Sequence, residues 1–150
     1  RDTLPSLAAL NGTAMEAALK YDLHACTDIT GFGILGHLIE VAHGCDARIV
    51  VKYGDLPFYP AALEMYGKGE TTGSNKANRE MVAKHHLQMS TTLTTAEEEL
   101  LYDPQTSGGL LLSLPEPQVD ALLSDLRETG VISAVRIGEV IDEPVGITVV

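Results

Sequence analysis

The stretch Ala25-Cys-Thr-Asp-Ile-Thr-Gly-Phe-Gly-Ile-Leu-Gly-His37 predicts a buried strand that passes through a glycine-rich turn into a helix. We expect the strand, residues 21–27, to place Asp28 at its carboxyl end, where ligands gather in α/β folds. A helix N-terminus offers unpaired N–H groups and a partial positive charge, both of which suit phosphate. A carboxylate beside them can hold the cation that a phosphate carries. The stretch therefore predicts a nucleotide-phosphate and metal site.

The alternative for Asp28 is a structural one, because aspartate is a common N-cap of a following helix. Thr30 is the better cap candidate, and a cap at Thr30 would leave Asp28 free to face a cation. The residues alone leave both roles for Asp28 open.

The helix itself, residues 31–43, has a wide apolar arc and a second face that is small and polar. Glycine inside a helix costs about 1 kcal/mol relative to alanine, so glycines on one face need a reason. We expect another backbone or a ligand to approach this face closely, and Gly44 to cap the helix at its C-terminus. His37 is predicted to be a surface or domain-contact histidine, with a catalytic role as the alternative. The residues of this face are Gly33, Gly36, His37, Glu40 and Gly44.

Further elements are predicted along the chain from apolar periodicity and from breaker residues. Residues 131–141 and 146–150 are expected to pair as an antiparallel hairpin across an acidic turn. The fold class predicted from this mixture is α+β, a mixed, largely antiparallel sheet layered with helices. The other predicted helices are residues 7–19, 61–66, 95–102 with a threonine cap, and 117–128 capped by Gly130; the other strands are 47–52 and 110–114.

Two polar segments interrupt these elements. Residues 68–78 are predicted to be a surface loop, either simply solvated or a mobile flap that touches ligand. The segment Asp103-Pro-Gln-Thr-Ser-Gly-Gly109 is predicted to be a turn at the start of a strand, because Pro104 ends the helix before it and the glycine pair permits a close backbone approach. Its hydroxyls either bond within the turn or contact a ligand. His85 and His86 are expected to be a surface pair, because adjacent side chains point apart.

Composition limits the classes of partner. The chain of 150 residues has an apolar fraction of 45%, enough for one domain with a core, and a net charge of −11, which disfavours nucleic acid and anionic membranes. The start at Arg1 without a signal pattern leads us to expect a cytoplasmic segment of a longer protein. Cys26 and Cys45 are expected to be small buried residues in a reducing compartment.

Taken together, Thr27 to His37 and, about seventy residues later, Asp103 to Leu111 (D-P-Q-T-S-G-G-L-L) resemble the C-terminal domain of selenophosphate synthetase, also called selenide, water dikinase. The resemblance covers almost the whole chain. Either motif alone would also fit the wider superfamily, which includes aminoimidazole ribonucleotide synthetase and a hydrogenase maturation protein. Gln105 and the complete T-D-I-T-G-F-G favour the selenium enzyme.

The resemblance implies an activity and a set of partners. ATP, selenide and water would give selenophosphate, AMP and orthophosphate, in a two-domain homodimer whose N-terminal domain carries the reactive cysteine or selenocysteine, a lysine and metal-binding aspartates. Residues 1–150 would be the single C-terminal domain, forming one wall of the ATP cleft, and Cys26 would not be the nucleophile.

The resemblance also implies site residues. Asp28 would be the ligand that this domain lends to the magnesium–triphosphate cluster. Thr27, Thr30, Gly31 and Gly33 would shape its surroundings, and Gln105, Thr106 and Ser107 would lie on the nucleotide side. Another ATP-using superfamily member and a catalytically silent nucleotide-binding or regulatory paralogue are the alternatives.

Overall fold

The computed structural model describes residues 7–150, which form helices and two separate sheets. The predicted α+β class with a mixed sheet is confirmed, but the strand pairings are evenly divided rather than largely antiparallel: two are antiparallel and two are parallel. The elements in chain order are α1 (Gly12–Ala18), β1 (Ala25–Asp28), α2 (Gly33–Cys45), β2 (Arg48–Val51), α3 (Pro60–Gly67), α4 (Asn75–Val82), β3 (Leu87–Met89), α5 (Thr95–Leu100), β4 (Leu110–Ser113), α6 (Val119–Glu128), β5 (Gly138–Ile141) and β6 (Gly146–Val149).

The main core lies between the four-stranded sheet, in the order β3-β6-β2-β5, and the long helix α2. Alternate residues of a strand face the same side, so one face of β2 and β6 contributes an apolar row. Helix α2 covers this row with the apolar arc that its sequence predicted. The fully buried side chains of this core include Leu35, Leu38, Val51, Ile147 and Val149.

A second, smaller core lies beside the antiparallel pair β1 and β4. Helices α1 and α6 meet there through Ala17, Ala18, Leu122 and Leu126. The pairing places Asp28, the last residue of β1, opposite Leu110, the first residue of β4. The two sequence motifs therefore lie at the same end of one strand pair.

The predicted hairpin of the last two strands is wrong. Strands β5 and β6 do not pair with each other, because β2 lies between them, antiparallel to β5 and parallel to β6. The β-branched strand β2 thus hydrogen-bonds on both sides, and the acidic turn crosses its end. The strand expected over residues 131–141 is also shorter and begins at Gly138.

Several predicted helix ends are also corrected. Helix α1 begins at Gly12, so residues 7–19 are not one helix. Helix α2 continues through Gly44, and its C-cap is Asp46 in the left-handed region with φ 52°. Helix α5 is capped by Thr94, whose hydroxyl accepts the N–H of Glu97 while the Glu97 carboxylate accepts the N–H of Thr94, a capping box.

The predicted surface loop of residues 68–78 is partly wrong, because its last residues begin α4, where Asn75 and Asn78 are buried. Both cysteines are exposed in this domain, contrary to the expected burial. Within residues 7–150, no helix combines the length and apolar character that crossing a membrane requires.

Candidate functional site

The site is built around the carboxyl end of β1, where the sequence placed Asp28 and where its side chain is exposed. The prediction that this strand is buried is wrong, because its residues alternate between half-buried and exposed. The Asp28 carboxylate accepts no hydrogen bond from another side chain or N–H group in residues 7–150. Side chains alternate along a strand, so Thr27 projects to the face opposite Asp28, and its hydroxyl lies 3.3 Å from the main-chain oxygen of Asp28. An exposed, uncommitted carboxylate oxygen is the kind of group that a cation can take as a ligand.

Backbone hydrogen bonds join the first motif to the second. The N–H of Ile29 donates to the carbonyl of Gly109 at 2.9 Å, and the N–H of Gln105 donates to the carbonyl of Thr30 at 3.0 Å. The same Thr30 carbonyl accepts the N–H of Gly33 at 3.1 Å, at the start of α2. The turn around Asp28 and the Asp103–Gly109 turn therefore form one unit.

The glycines of the two motifs make this contact possible. A β-carbon on Gly33, which has φ 68°, would lie 2.8 Å from the carbonyl carbon of Tyr102. A β-carbon on Gly108 would lie 2.1 Å from the carbonyl oxygen of Ile29. Both distances are far below van der Waals contact, so only glycine fits. The close backbone approach predicted for Gly33 is confirmed, whereas a β-carbon on Gly44 would meet no atom within 4 Å.

His37 is not the surface histidine that the sequence predicted, because only 5% of it is exposed. Its Nε2 accepts the main-chain N–H of Thr30 at 3.0 Å, and its Nδ1 lies 2.9 Å from a carboxylate oxygen of Glu40. An acceptor Nε2 requires the proton on Nδ1, which then donates to Glu40. No threonine side chain caps α2. The expected Thr30 cap is wrong, and the His37 ring satisfies a polar group of this turn instead.

Helix α4 contributes two buried asparagines, which the sequence placed in the predicted surface loop of residues 68–78 without a role as site residues. Asn78 donates through Nδ2 to the carbonyls of Gly31 and Tyr102, both at 2.9 Å. Asn75 donates to the main-chain and side-chain oxygens of Glu99 at 3.0 and 2.7 Å. The available signal was their spacing of three residues, which puts two amides on one helical face.

Arg79, next to Asn78, holds α4 against α5. Its guanidinium pairs with the carboxylates of Glu98 and Glu99, the latter at 2.6 Å, and lies 4.3 Å from the centre of the Tyr102 ring. Burial alone would raise the pKa of the Glu99 carboxyl, but the bonds from Arg79 and Asn75 outweigh burial and lower that pKa below its ordinary value.

Two residues of the second motif, Asp103 and Gln105, form hydrogen bonds within the domain. The Tyr66 hydroxyl donates to Asp103 at 2.5 Å, and the Gln105 amide donates to the same carboxylate at 2.9 Å. Burial, aided by the bond to Asp103, raises the pKa of the Tyr66 phenol well above its ordinary value. The Gln105 side chain is therefore turned back into its own turn. The hydroxyls of Thr106 and Ser107 make no hydrogen bond within residues 7–150, and Thr106 is exposed.

The described residues can supply only part of the coordination shell of a cation. Nowhere in the described part of the chain do three or more His, Cys, Asp or Glu side chains meet in a group that could hold a metal ion. Asp28 can supply one oxygen, whereas Mg²⁺ takes about six oxygen ligands. The remaining ligands would have to come from a bound phosphate, from water or from another polypeptide segment.

The fold and the joined turns define a class of protein domain, a mixed α/β domain with a carboxylate at a strand end beside a glycine-rich helix start. Residues 4–150 match the family described as AIR synthase related protein, C-terminal domain, and the chain belongs to this family.

Among named relatives, the chain is similar to selenide, water dikinase of Pelobacter propionicus, with 40% identity over 141 residues that cover 93% of this chain and 40% of that protein. It is also similar to selenide, water dikinase of Clostridioides difficile, with 36% identity over 132 residues that cover 88% of this chain and 38% of that protein. The chain thus spans about two fifths of the length of these relatives.

Solved structures of hydrogenase maturation proteins share the fold. Escherichia coli HypE matches with a TM-score of 0.63 and 17% identity, covering 94% of this chain and 36% of that one. HypE in complex with ATP matches with a TM-score of 0.59 and 23% identity, covering 91% of this chain and 33% of that one. At these identities the likeness concerns the fold alone.

Proposed function

We propose that this chain is the C-terminal domain of a selenide, water dikinase and that it forms one wall of the Mg²⁺–ATP cleft. The relatives that bear this name match nearly the whole chain at 36–40% identity. The observation that carries the proposal is the position of Asp28, exposed and uncommitted, beside two turns joined by backbone bonds. One end of the β1–β4 pair thereby gathers both motifs by which the sequence resembles this enzyme.

The chemistry assigned to this wall is binding and positioning. Asp28 would give one oxygen to Mg²⁺, which neutralises charge on the phosphates when it is bound. The N–H groups of Gly31 and Phe32 have no acceptor within residues 7–150, so they are available to phosphate oxygens. Among the proposed contacts, Thr106 and Ser107 fit a ligand-facing role better than Gln105, whose amide is bound to Asp103.

The remaining parts of the cleft are proposed to come from elsewhere in a longer chain. The relatives are more than twice as long as the matched region, and an acidic domain of net charge −11 needs cations or a basic partner to hold a triphosphate. We infer an N-terminal domain that supplies the reactive residue, a lysine and further metal ligands. The whole protein is proposed to be a cytoplasmic homodimer that uses ATP and selenide.

The substitution Asp28→Asn in the full-length protein tests the metal role. It removes a charged oxygen ligand while keeping the shape of the side chain, so we expect AMP formation from ATP to fall at least a thousandfold with little change in melting temperature. Asp46→Asn, at the far end of α2, is the matched control and should retain activity. Unchanged turnover in Asp28→Asn would remove Asp28 from the metal cluster.

The isolated domain provides the second test. One wall of a cleft cannot complete the metal coordination, so the chain of residues 1–150 should form no AMP from ATP and selenide. AMP formation by this chain would contradict the proposal. A full-length protein that binds ATP tightly but makes no AMP would instead identify the silent paralogue.

A further inference from the structure

Asn78 connects the first motif to the residue that precedes the second motif, through a single side-chain amide. It lies on α4, outside either motif, and only 5% of it is exposed. Its two amide hydrogens are directed at two carbonyls 2.9 Å away, those of Gly31 in the first motif and of Tyr102, the residue immediately before the second motif. Breaking either hydrogen bond would be unfavourable, because the buried amide or carbonyl group would be left without a partner.

The bond to Gly31 fixes the orientation of a peptide group in the turn. No peptide bond in the described chain is cis, and in a planar trans peptide the C=O and the following N–H point in opposite directions. With the Gly31 carbonyl directed inward at Asn78, the N–H of Phe32 points outward. Gly31 and Phe32 are both exposed, so this N–H faces the outer side of the turn.

Steric contacts do little to hold the Gly31 peptide in this orientation. A β-carbon placed on Gly31 would meet no atom within 4 Å, in contrast to the tight packing at Gly33 and Gly108. Glycine at a position with no steric contact at the β-carbon can adopt many backbone conformations. Within residues 7–150, the hydrogen bond from Asn78 is the one that the Gly31 carbonyl accepts, and it holds this carbonyl inward.

We propose that Asn78 is a positioning residue for phosphate binding, which acts by turning the Phe32 N–H towards a phosphate oxygen of the nucleotide. The inference rests on the proposed nucleotide site and assigns a role within it that neither motif contains. Asn78 does not touch the phosphate itself. The pairing of Arg79 with Glu98 and Glu99 keeps α4, and with it Asn78, in place against α5.

The test compares Asn78→Ala with Val82→Ala in the full-length protein. Val82 lies one turn further along α4, is 1% exposed and contacts the core, so its truncation lowers stability without touching the turn. We expect Asn78→Ala to weaken binding of the unreactive analogue AMP-PNP with Mg²⁺ about threefold to tenfold, the range of one lost hydrogen bond. Val82→Ala should leave this affinity unchanged.

Hydrogen exchange gives a readout that does not depend on activity. The N–H groups of Gly33 and Gln105 both donate to Thr30, in the peptide next to Gly31. Their exchange should accelerate at least tenfold in Asn78→Ala, while exchange in β2 and β6 changes no more than it does in Val82→Ala.

Equal affinity and equal exchange in the two variants would overturn the proposal. If Asn78→Ala does not fold, Asn78→Ser is the second variant, because it leaves space for a water molecule that would hold the Gly31 peptide less firmly than the amide does. Nucleotide affinity should then fall, and the exchange of the Gly33 and Gln105 N–H groups should accelerate, by smaller factors than in Asn78→Ala. The variant Asp28→Asn tests the metal site independently of the role of Asn78. Loss of turnover in Asp28→Asn together with wild-type behaviour of the Asn78 variants would refute the positioning role alone.

Discussion

The His37 ring accepts the main-chain N–H of Thr30, seven residues earlier in the chain, at 3.0 Å. This bond closes the turn that follows Asp28, because the accepting ring belongs to the first half of α2. The polar residue His37 of α2 is thereby explained as internal support for the turn. The ring is in turn oriented by Glu40, through the bond to Nδ1.

His37→Ala should destabilise the domain by about 1–3 kcal/mol, because it leaves the partly buried N–H of Thr30 without its acceptor and removes a buried ring. His24→Ala, the same truncation at an exposed position whose ring makes no hydrogen bond within residues 7–150, should cost less than about 0.5 kcal/mol. Urea denaturation followed by circular dichroism measures both. Equal losses in the two variants would mean that the His37 bond contributes nothing specific.

Gly108→Ala should be among the most damaging single substitutions in the site. The added β-carbon would lie 2.1 Å from the Ile29 carbonyl oxygen, and neither backbone can move without breaking the bond between Ile29 and Gly109. We expect a loss of about 3–5 kcal/mol in unfolding free energy. In Gly31→Ala the added β-carbon would meet no atom within 4 Å, so the free energy of unfolding should change by no more than about 1 kcal/mol. Denaturation midpoints of the two variants decide the matter.

The local signals of the sequence were sufficient for much of the fold. The periodicity of α2, the β-branched run of β2 and the position of Asp28 at the end of β1 were all predicted and are confirmed. Each depends on residues close together in the chain. The hairpin prediction failed because this pairing depends on residues far apart in the chain. Strand β2, which separates β5 from β6, comes about ninety residues before β5.

In the site, too, residues with local sequence signals were identified, and residues whose partners are distant in the chain were not. The glycines and Asp28 were identified from their own motifs, whereas Asn78 acquires its importance from carbonyls 24 and 47 residues away. His37 was misjudged because its partner, a backbone N–H, has no side-chain signal. Gln105 was grouped with Thr106 and Ser107, and only the bond to Asp103 separates its role from theirs.

The acid sensitivity of the domain should depend on Glu99. Its folded-state pKa lies below the ordinary value of 4.5, so its ionised form stabilises the fold above that pH, and this contribution is lost as the pH falls through the folded pKa. Glu99→Gln should therefore lower stability at about pH 6 and reduce the further loss on going to about pH 3. Glu70→Gln, at an exposed position, should keep the wild-type pH profile. Melting temperatures measured across this range would show the difference, and parallel profiles would contradict it.

The three polar residues of the second motif should respond to truncation in two different ways. Thr106→Ala and Ser107→Ala remove hydroxyls that bond to nothing else in residues 7–150, so each should change stability by less than about 0.5 kcal/mol yet weaken nucleotide binding by the full-length protein about threefold to tenfold. Gln105→Ala removes the amide that Asp103 accepts, so it should cost about 1 kcal/mol of stability. Titration calorimetry with AMP-PNP and Mg²⁺, paired with denaturation curves, tests both effects. Unchanged affinity in the two hydroxyl variants would confine the second motif to a structural role, and the nucleotide contacts of this domain would then lie at the Asp28 turn alone.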